Sequence, residues 1–214
     1  LLALLLQARK ITNVEDARNF LDPDFTHISD PFVIKDMKKA VIRIHTAINN
    51  KEKILVFGDF DADGVTSTAL ISDFLEYCGA DVSWYIPHRL KEGYSIQEKH
   101  IRMAVDMDID LIITVDCGVG SHGAVLLANN EDIDVIITDH HEPENELPEA
   151  VAVIDPKRPD CPSKLNFLAG VGVAFYLIMA LRKHLRDNDF WDKLKEPNLS
   201  EFLDLFAIGT IGDM

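Results

Sequence analysis

Asp59-Phe60-Asp61-Ala62-Asp63-Gly64 sets three carboxylates at alternate positions directly behind the apolar run Ile54-Leu55-Val56-Phe57. Carboxylates packed this closely repel one another unless a cation or protons neutralise them, and hard divalent ions such as Mg²⁺ or Mn²⁺ take oxygen ligands of this kind. A calcium loop of the helix-loop-helix type would need a glutamate at its twelfth position. Counting from Asp59 reaches Leu70, and counting from Asp61 reaches Ser72. The acids therefore read as a strand-to-helix turn.

Two further apolar runs end in the same chemistry. Residues 111–115 lead into Asp116, and residues 135–138 lead into Asp139-His140-His141. In an open parallel sheet the carboxyl ends of the strands lie along one edge, where ligands bind, so the three groups are expected to meet. Carboxylates with imidazole and without a local thiolate set suit Mn²⁺ or Mg²⁺ in a two-metal hydrolytic site better than structural zinc. Cys117, beside Asp116, has no evident catalytic partner and reads as a small buried residue.

The elements that must position these groups follow from the hydrophobic rhythm. Short β-branched runs at 54–57, 82–86, 111–115, 135–138 and 151–154 alternate with helix-length amphipathic segments at 35–49, 66–78, 95–107 and 120–130. This pattern predicts an α/β fold, a mostly parallel sheet of five or more strands with helices on both faces. A short helical arm is expected ahead of it, with Asn13 capping a helix over 14–21 and prolines 23 and 31 breaking the chain. We assign residues 1–50 to this arm, packed on the sheet, and 51–214 to the catalytic domain. Beyond a loop at 157–164, helices are expected at 172–186 and 199–209.

The 214 residues are 47% hydrophobic, enough for a full core. The leading Leu1-Leu2-Ala3-Leu4-Leu5-Leu6 is too short to span a bilayer and reads as a helix face. Three widely spaced cysteines in no C-x-x-C arrangement favour a reducing compartment, hence the cytoplasm. The formal charge of −15 argues against a generic basic nucleic-acid module. It does not exclude nucleic acid, because bound metal would offset the acidic motifs. Arg89 with Lys91, and Lys157 with Arg158, are basic spots, and such pairs read as solvated surface rather than as phosphate contacts.

The motifs V-F-G-D-F-D-A-D-G-V-T-S-T-A-L (56–70), I-T-V-D-C-G (113–118), I-T-D-H-H-E-P (137–143) and L-A-G-V-G-V-A-F (168–175) resemble, in order, those of the DHH phosphoesterase superfamily. P-H-R-L-K-E-G-Y (87–94), I-D-P-K-R-P-D-C-P (154–162) and A-I-G-T-I-G-D-M (207–214) extend the resemblance to its RecJ-type single-strand-specific exonucleases. The resemblance implies a DHH catalytic domain that uses two divalent ions, Mn²⁺ or Mg²⁺, to cut single-stranded DNA from a 5′ end into mononucleotides during DNA repair and recombination. It matches Asp61, Asp63, Asp116, His140 and Asp213 to metal ligands, with Asp59 a secondary candidate, and His141 to a histidine beside the scissile phosphate. Arg89 matches a position that holds the substrate's terminal phosphate, a role a guanidinium fills bidentately. Ser95 stands where glycine is common, and Gly212 where alanine is usual. Gly170 and Gly172 admit two readings, close backbone approach at a helix start, as toward a phosphate, or helix packing. The chain is expected to continue into a DHH-associated domain and an OB-fold, and replication or repair proteins are possible partners.

Two rivals keep the fold. One is a DHH phosphodiesterase acting on a cyclic dinucleotide, a short oligonucleotide or an adenosine bisphosphate. The other is a non-catalytic replication scaffold, which the intact acidic set disfavours because unneutralised acids are costly to crowd together. A pyrophosphatase is expected to carry a histidine where this chain has Phe57. Replacing Asp63 or His140 with alanine is expected to abolish turnover and leave the fold intact.

Overall fold

The computed structural model describes residues 1–22, 28–144, 146–192 and 194–213; proline 23 of the expected arm lies outside them. The chain forms two compact units, Leu1–Asp30 and Pro31–Met214. The first unit holds two helices, α1 (Leu2–Ala8) and α2 (Val14–Leu21). Asn13 caps α2 as expected, its side-chain oxygen accepting the Asp16 N–H at 2.8 Å.

The second unit runs α3 (Met37–Asn50), β1 (Lys53–Phe57), α4 (Ala62–Tyr77), β2 (Asp81–Tyr85), α5 (Glu98–Asp106), β3 (Leu111–Val115), α6 (His122–Asn130), β4 (Asp134–Thr138), β5 (Ala152–Ile154), α7 (Gly170–Arg186) and α8 (Leu203–Gly212). All strand pairings are parallel, in the order β2-β1-β3-β4-β5. The expected strands are therefore observed within a residue or two.

Alternation along each strand sorts the core into two layers. Ile54, Val56, Leu111, Ile113, Val115, Ile136 and Ile154 pack with α3, α4 and α7 on one face. Leu55, Phe57, Ile112, Val135, Ile137 and Val153 pack with α5 and α6 on the other. Such strands are buried on both faces, which is why they read as continuous apolar runs. The strand order reverses between β1 and β3, the switch point at which doubly wound sheets open a crevice.

Helix α5 starts three residues later than expected and α8 four later, behind a 3₁₀ turn over Leu199–Phe202, and two further features depart from the expectation. Helix α4 begins four residues earlier than the periodicity indicated, because Asp61 caps it by accepting the Gly64 N–H at 3.0 Å. Asp63 thereby enters the first helical turn. Arg158 is not solvated: it is 8% exposed, and its guanidinium donates to Asp36 (2.7 Å), the Val153 carbonyl (2.6 Å) and Asp160 (3.0 Å). It ties the start of α3 to the end of β5.

His45 on α3 and His184 on α7 face each other, Nδ1 to Nε2, at 3.1 Å. Burial lowers both imidazole pKa values, and for His184 the neighbouring His45 lowers it further. The unfolded chain therefore takes up these protons first as pH falls below about 6.5. The pair's contribution to stability is complete above that value and declines as pH falls toward the lower folded-state values. Urea unfolding between about pH 5 and 8 should show His184→Gln losing less stability on acidification than the parent chain; identical pH profiles would contradict this.

Among the described residues, no helix is long and apolar enough to cross a membrane.

Candidate metal centre

The carboxyl ends of β1, β3 and β4 are clamped side by side. Gly58 N–H donates to the Tyr85 carbonyl, Asp116 N–H to the Thr138 carbonyl and Asp139 N–H to the Ile154 carbonyl, at 3.0, 3.0 and 3.1 Å. Thr138 adds a hydroxyl bond to the Thr114 carbonyl at 2.8 Å. At Asp116 the backbone leaves β3 in the left-handed region, with φ 60°, a conformation aspartate tolerates better than most residues.

Asp63, Asp116, His140 and Asp213 converge there. His140 Nε2 lies 3.1 Å from Asp116 Oδ1, 3.7 Å from Asp63 Oδ2 and 3.8 Å from Asp213 Oδ1. Three ligand-competent groups overlap: Asp63 with His140 and Asp213, Asp116 with His140 and His141, and Asp59 with Asp61 and Asp116. Every residue singled out for metal thus falls in this cluster, as does Asp59.

Asp63 is 1% exposed, and α7 points its N-terminus at it. The Gly170 and Val171 N–H groups donate to its two oxygens at 2.5 and 2.8 Å. A β-carbon on Gly170 would sit 2.6 Å from Asp116 Oδ1 and 2.7 Å from Asp116 Cβ. Gly170 is therefore a close backbone approach, but to carboxylates rather than to phosphate. Gly172 is helix packing, its absent β-carbon facing the Leu168 side chain at 3.1 Å.

Burial raises the pKa of Asp63 above the usual carboxylate value, although those two N–H bonds oppose it. Burial, with the like charge of Asp63, pushes Asp116 up to about 7 against the pull of His140. Burial works against charging His140, yet the Asp116 and Asp213 carboxylates beside it carry its pKa above the usual imidazole value. These acids share protons when no cation is present.

Asp139 does something different. Its Oδ2 accepts the Val119 N–H at 2.9 Å, and its Oδ1 takes the His140 N–H at 2.8 Å, the His141 N–H at 3.2 Å and His141 Nδ1 at 2.7 Å. Burial opposes its charge, but these bonds hold its pKa below the usual range. Asp139 in turn raises His141 to about 9, so that imidazole is charged at neutral pH. Tyr94 reaches the same ring, its hydroxyl 3.1 Å from His141 Nδ1 and 3.4 Å from the Asp116 carbonyl. Asp139 was legible as a site residue from the triplet, whereas Tyr94 stood in a noted motif with no role attached. Asp155, at the end of β5, is buried with its pKa pushed up by burial to about 7; among these signals it had only its place after a strand.

Cys117 is fully buried, and burial drives its thiol pKa well above the usual value, so it is no nucleophile. Ser95 has φ 67°, a left-handed conformation that explains why glycine is common there. Gly212 is tightly placed, since a β-carbon would meet Ala62 Cβ at 2.7 Å.

The donor set passes a chemical test for a cation. Asp59 Oδ1, Asp116 Oδ1 and His140 Nε2 are buried without a hydrogen-bond partner. The last two are 3.1 Å apart yet not aligned for a hydrogen bond. Orphaned buried polar atoms are rare, and oxygen with imidazole donors suits a hard or borderline divalent ion.

Residues 53–210 match the model of the DHH family, N-terminal domain. The chain belongs to the DHH family. It is 45% identical over 214 residues to the single-stranded-DNA-specific exonuclease RecJ of Bacillus subtilis, covering 100% of this chain and 26% of that protein. It is 42% identical over 184 residues to the protein of the same name from Escherichia coli, covering 85% and 32%. This DHH chain therefore spans about a quarter to a third of the length of these curated relatives. Among solved structures it resembles RecJ in complex with Mn²⁺ from Thermus thermophilus, with a TM-score of 0.77 and 31% identity over 99% of this chain and 28% of that one. It also resembles an exonuclease RecJ bound to manganese, with a TM-score of 0.72 and 37% identity over 85% and 44%.

Proposed function

We propose that this chain is the metal-binding catalytic part of an exonuclease that hydrolyses single-stranded DNA from a 5′ end. The observation that carries the reading is the convergence of Asp63, Asp116 and His140 with buried ligand atoms left unpaired. The names of its relatives and the manganese in their structures point the same way.

Asp61, Asp63, Asp116, His140 and Asp213, with Asp59 beside them, would hold two Mn²⁺ or Mg²⁺ ions. Bound there, such a pair supplies Lewis acidity to the attacking and leaving oxygens of phosphoryl transfer. The protein's own groups do the rest. Asp139 fixes the His141 ring through its 2.7 Å contact with Nδ1, so His141 is held in place to donate to a phosphate as negative charge builds on it. The α7 N-terminus holds Asp63 through two N–H groups and keeps that carboxylate in one orientation. Arg89 stands over the Phe60 ring at 5.1 Å, within the acidic motif, with its N–H donors available for a terminal phosphate. Free Cys78, Cys117 and Cys161 fit a reducing cytoplasm.

The deciding assay is Mn²⁺-dependent digestion of a 5′-phosphorylated single strand labelled at either end, using the full-length protein that carries this chain. Immediate release of the 5′ mononucleotide, with gradual shortening of the 3′-labelled strand, is expected. Metal binding without strand cleavage would move the reading to a small phosphoester. In the same assay Arg89→Ala should lower kcat/KM on 5′-phosphorylated strands by about 10-fold or more, the worth of a charged hydrogen bond, and change 5′-hydroxyl strands much less. An equal loss on both would remove its role.

A further inference from the structure

Arg89 is exposed and, apart from its approach to the Phe60 ring, makes no hydrogen bond or ion pair among the described residues, so no polar contact of its own fixes its position. Its placement comes from the segment that carries it. Residues 88–92 form a compact turn in which the Lys91 and Glu92 N–H groups donate to the His88 carbonyl at 3.0 and 2.9 Å. Within the turn His88 Nδ1 accepts the Leu90 N–H at 3.2 Å, and Glu92 ties the turn to the rest of the fold. Its Oε2 accepts the His88 N–H at 2.8 Å, one residue from Arg89. Its Oε1 accepts the Tyr85 hydroxyl at 2.8 Å, at the end of β2.

The third partner is fixed by its tautomer. His100, 2% exposed in the first turn of α5, accepts the Gln97 N–H on Nδ1 at 3.0 Å. Its proton is therefore on Nε2, which faces Glu92 Oε1 at 3.4 Å. Phe57 and Tyr85 stack, and His100 packs tilted against both, with ring centroids 4.9 to 5.8 Å apart, so both anchors are themselves packed. The segment ends on the metal centre, through Tyr94 on His141. Arg89 also acts electrostatically on Asp59, favouring its ionised form.

We infer that Glu92 is a positioning residue for recognition of the 5′-terminal phosphate, holding the 88–92 turn so that Arg89 stands over Phe60 beside the acidic motif. The inference rests on the exonuclease reading and deepens it. Glu92 touches neither substrate nor metal in this role. The His88 N–H bond, with the Tyr85 hydroxyl, holds its carboxyl down to about 2, so it is an ionised acceptor throughout the working pH range. Glutamine keeps one acceptor oxygen and the length of the side chain, whereas alanine removes all three bonds.

The test uses the full-length protein with Mn²⁺ and single strands bearing a 5′-phosphate or a 5′-hydroxyl. Glu92→Ala should lower the phosphate-to-hydroxyl ratio of kcat/KM by about 10-fold, largely through KM on the phosphorylated strand, while Mn²⁺ affinity stays near wild type. Glu92→Gln should recover most of the preference. Combined with Arg89→Ala, Glu92→Ala should add no further loss, as expected of two residues acting through one contact. An unchanged ratio, an equal loss on both strands, or additive losses in the double variant would each overturn the inference. Amide exchange in the DNA-free protein gives a second readout. Glu92→Ala should speed exchange at His88 and across 88–94 and leave β1 and β3 protected; unchanged protection at His88 would also overturn it. If the wild-type enzyme cuts neither strand, the exonuclease reading fails on its own account, and the exchange result still decides whether Glu92 holds the turn.

Discussion

His140→Ala should reduce metal-dependent cleavage by more than about 100-fold, beyond the loss typical of an outer partner of a metal ligand. Its Nε2 lies within 3.1 to 3.8 Å of Asp116, Asp63 and Asp213, and that atom has no hydrogen bond to lose. Removing the ring therefore strips a ligand with little direct cost to secondary structure. The circular dichroism spectrum should match wild type while Mn²⁺ affinity falls. Near-normal turnover would sink the metal assignment. Asp63→Ala is a less clean variant than sequence reasoning suggested. Asp63 accepts the first N–H groups of α7, so its loss leaves two buried donors unsatisfied, at about 1–3 kcal/mol apiece. Lost activity in that variant would mix chemistry with stability.

Gly170→Ala is the second large effect, and it removes no proposed ligand. The new methyl would lie 2.6 to 2.8 Å from Asp116 Oδ1, Cβ and Cγ. Either Asp116 moves, at a strand end already in the left-handed region, or the α7 N-terminus backs away from Asp63. Overpacking of this kind costs about 1–3 kcal/mol. Displacing either carboxylate should weaken Mn²⁺ binding by about 10-fold or more, as loss of ligand orientation does. Gly172→Ala is the control. The nearest atoms to its β-carbon are all in the Leu168 side chain, away from the acids, and alanine is the better helix former by about 1 kcal/mol, so metal affinity should hardly change. The two variants compared by urea unfolding and Mn²⁺ titration should separate clearly. Equal behaviour would contradict the close-approach role of Gly170.

Much of this was visible in the residues because the sheet is parallel and buried on both faces. Each strand then reads as an apolar run, and whatever follows its carboxyl end lies on the functional edge, as Asp59, Asp116 and His140 do. What stayed hidden depends on which atom faces which. Asp139 and Asp116 occupy equivalent places after their strands. One carboxylate is spent on N–H groups and His141, whereas the other keeps an oxygen unpaired. Spacing along the chain does not distinguish them. Gly170 bonds a carboxylate 107 residues away, and no local pattern marks that contact. Arg158 looked like a solvated cation because its partner Asp36 is 122 residues distant. The early start of α4 was legible in principle, since Asp61 three residues before Gly64 is an ordinary N-cap arrangement. The apolar periodicity, which begins later, masked it.

Calorimetric titration of the chain with Mn²⁺ tests the central claim most directly, because it asks whether the converging acids and His140 form a cation site at all. The account predicts saturable binding of two ions per chain, with the titration largely abolished in His140→Ala. Absence of binding in the folded parent chain, or binding that His140→Ala leaves unchanged, would contradict it.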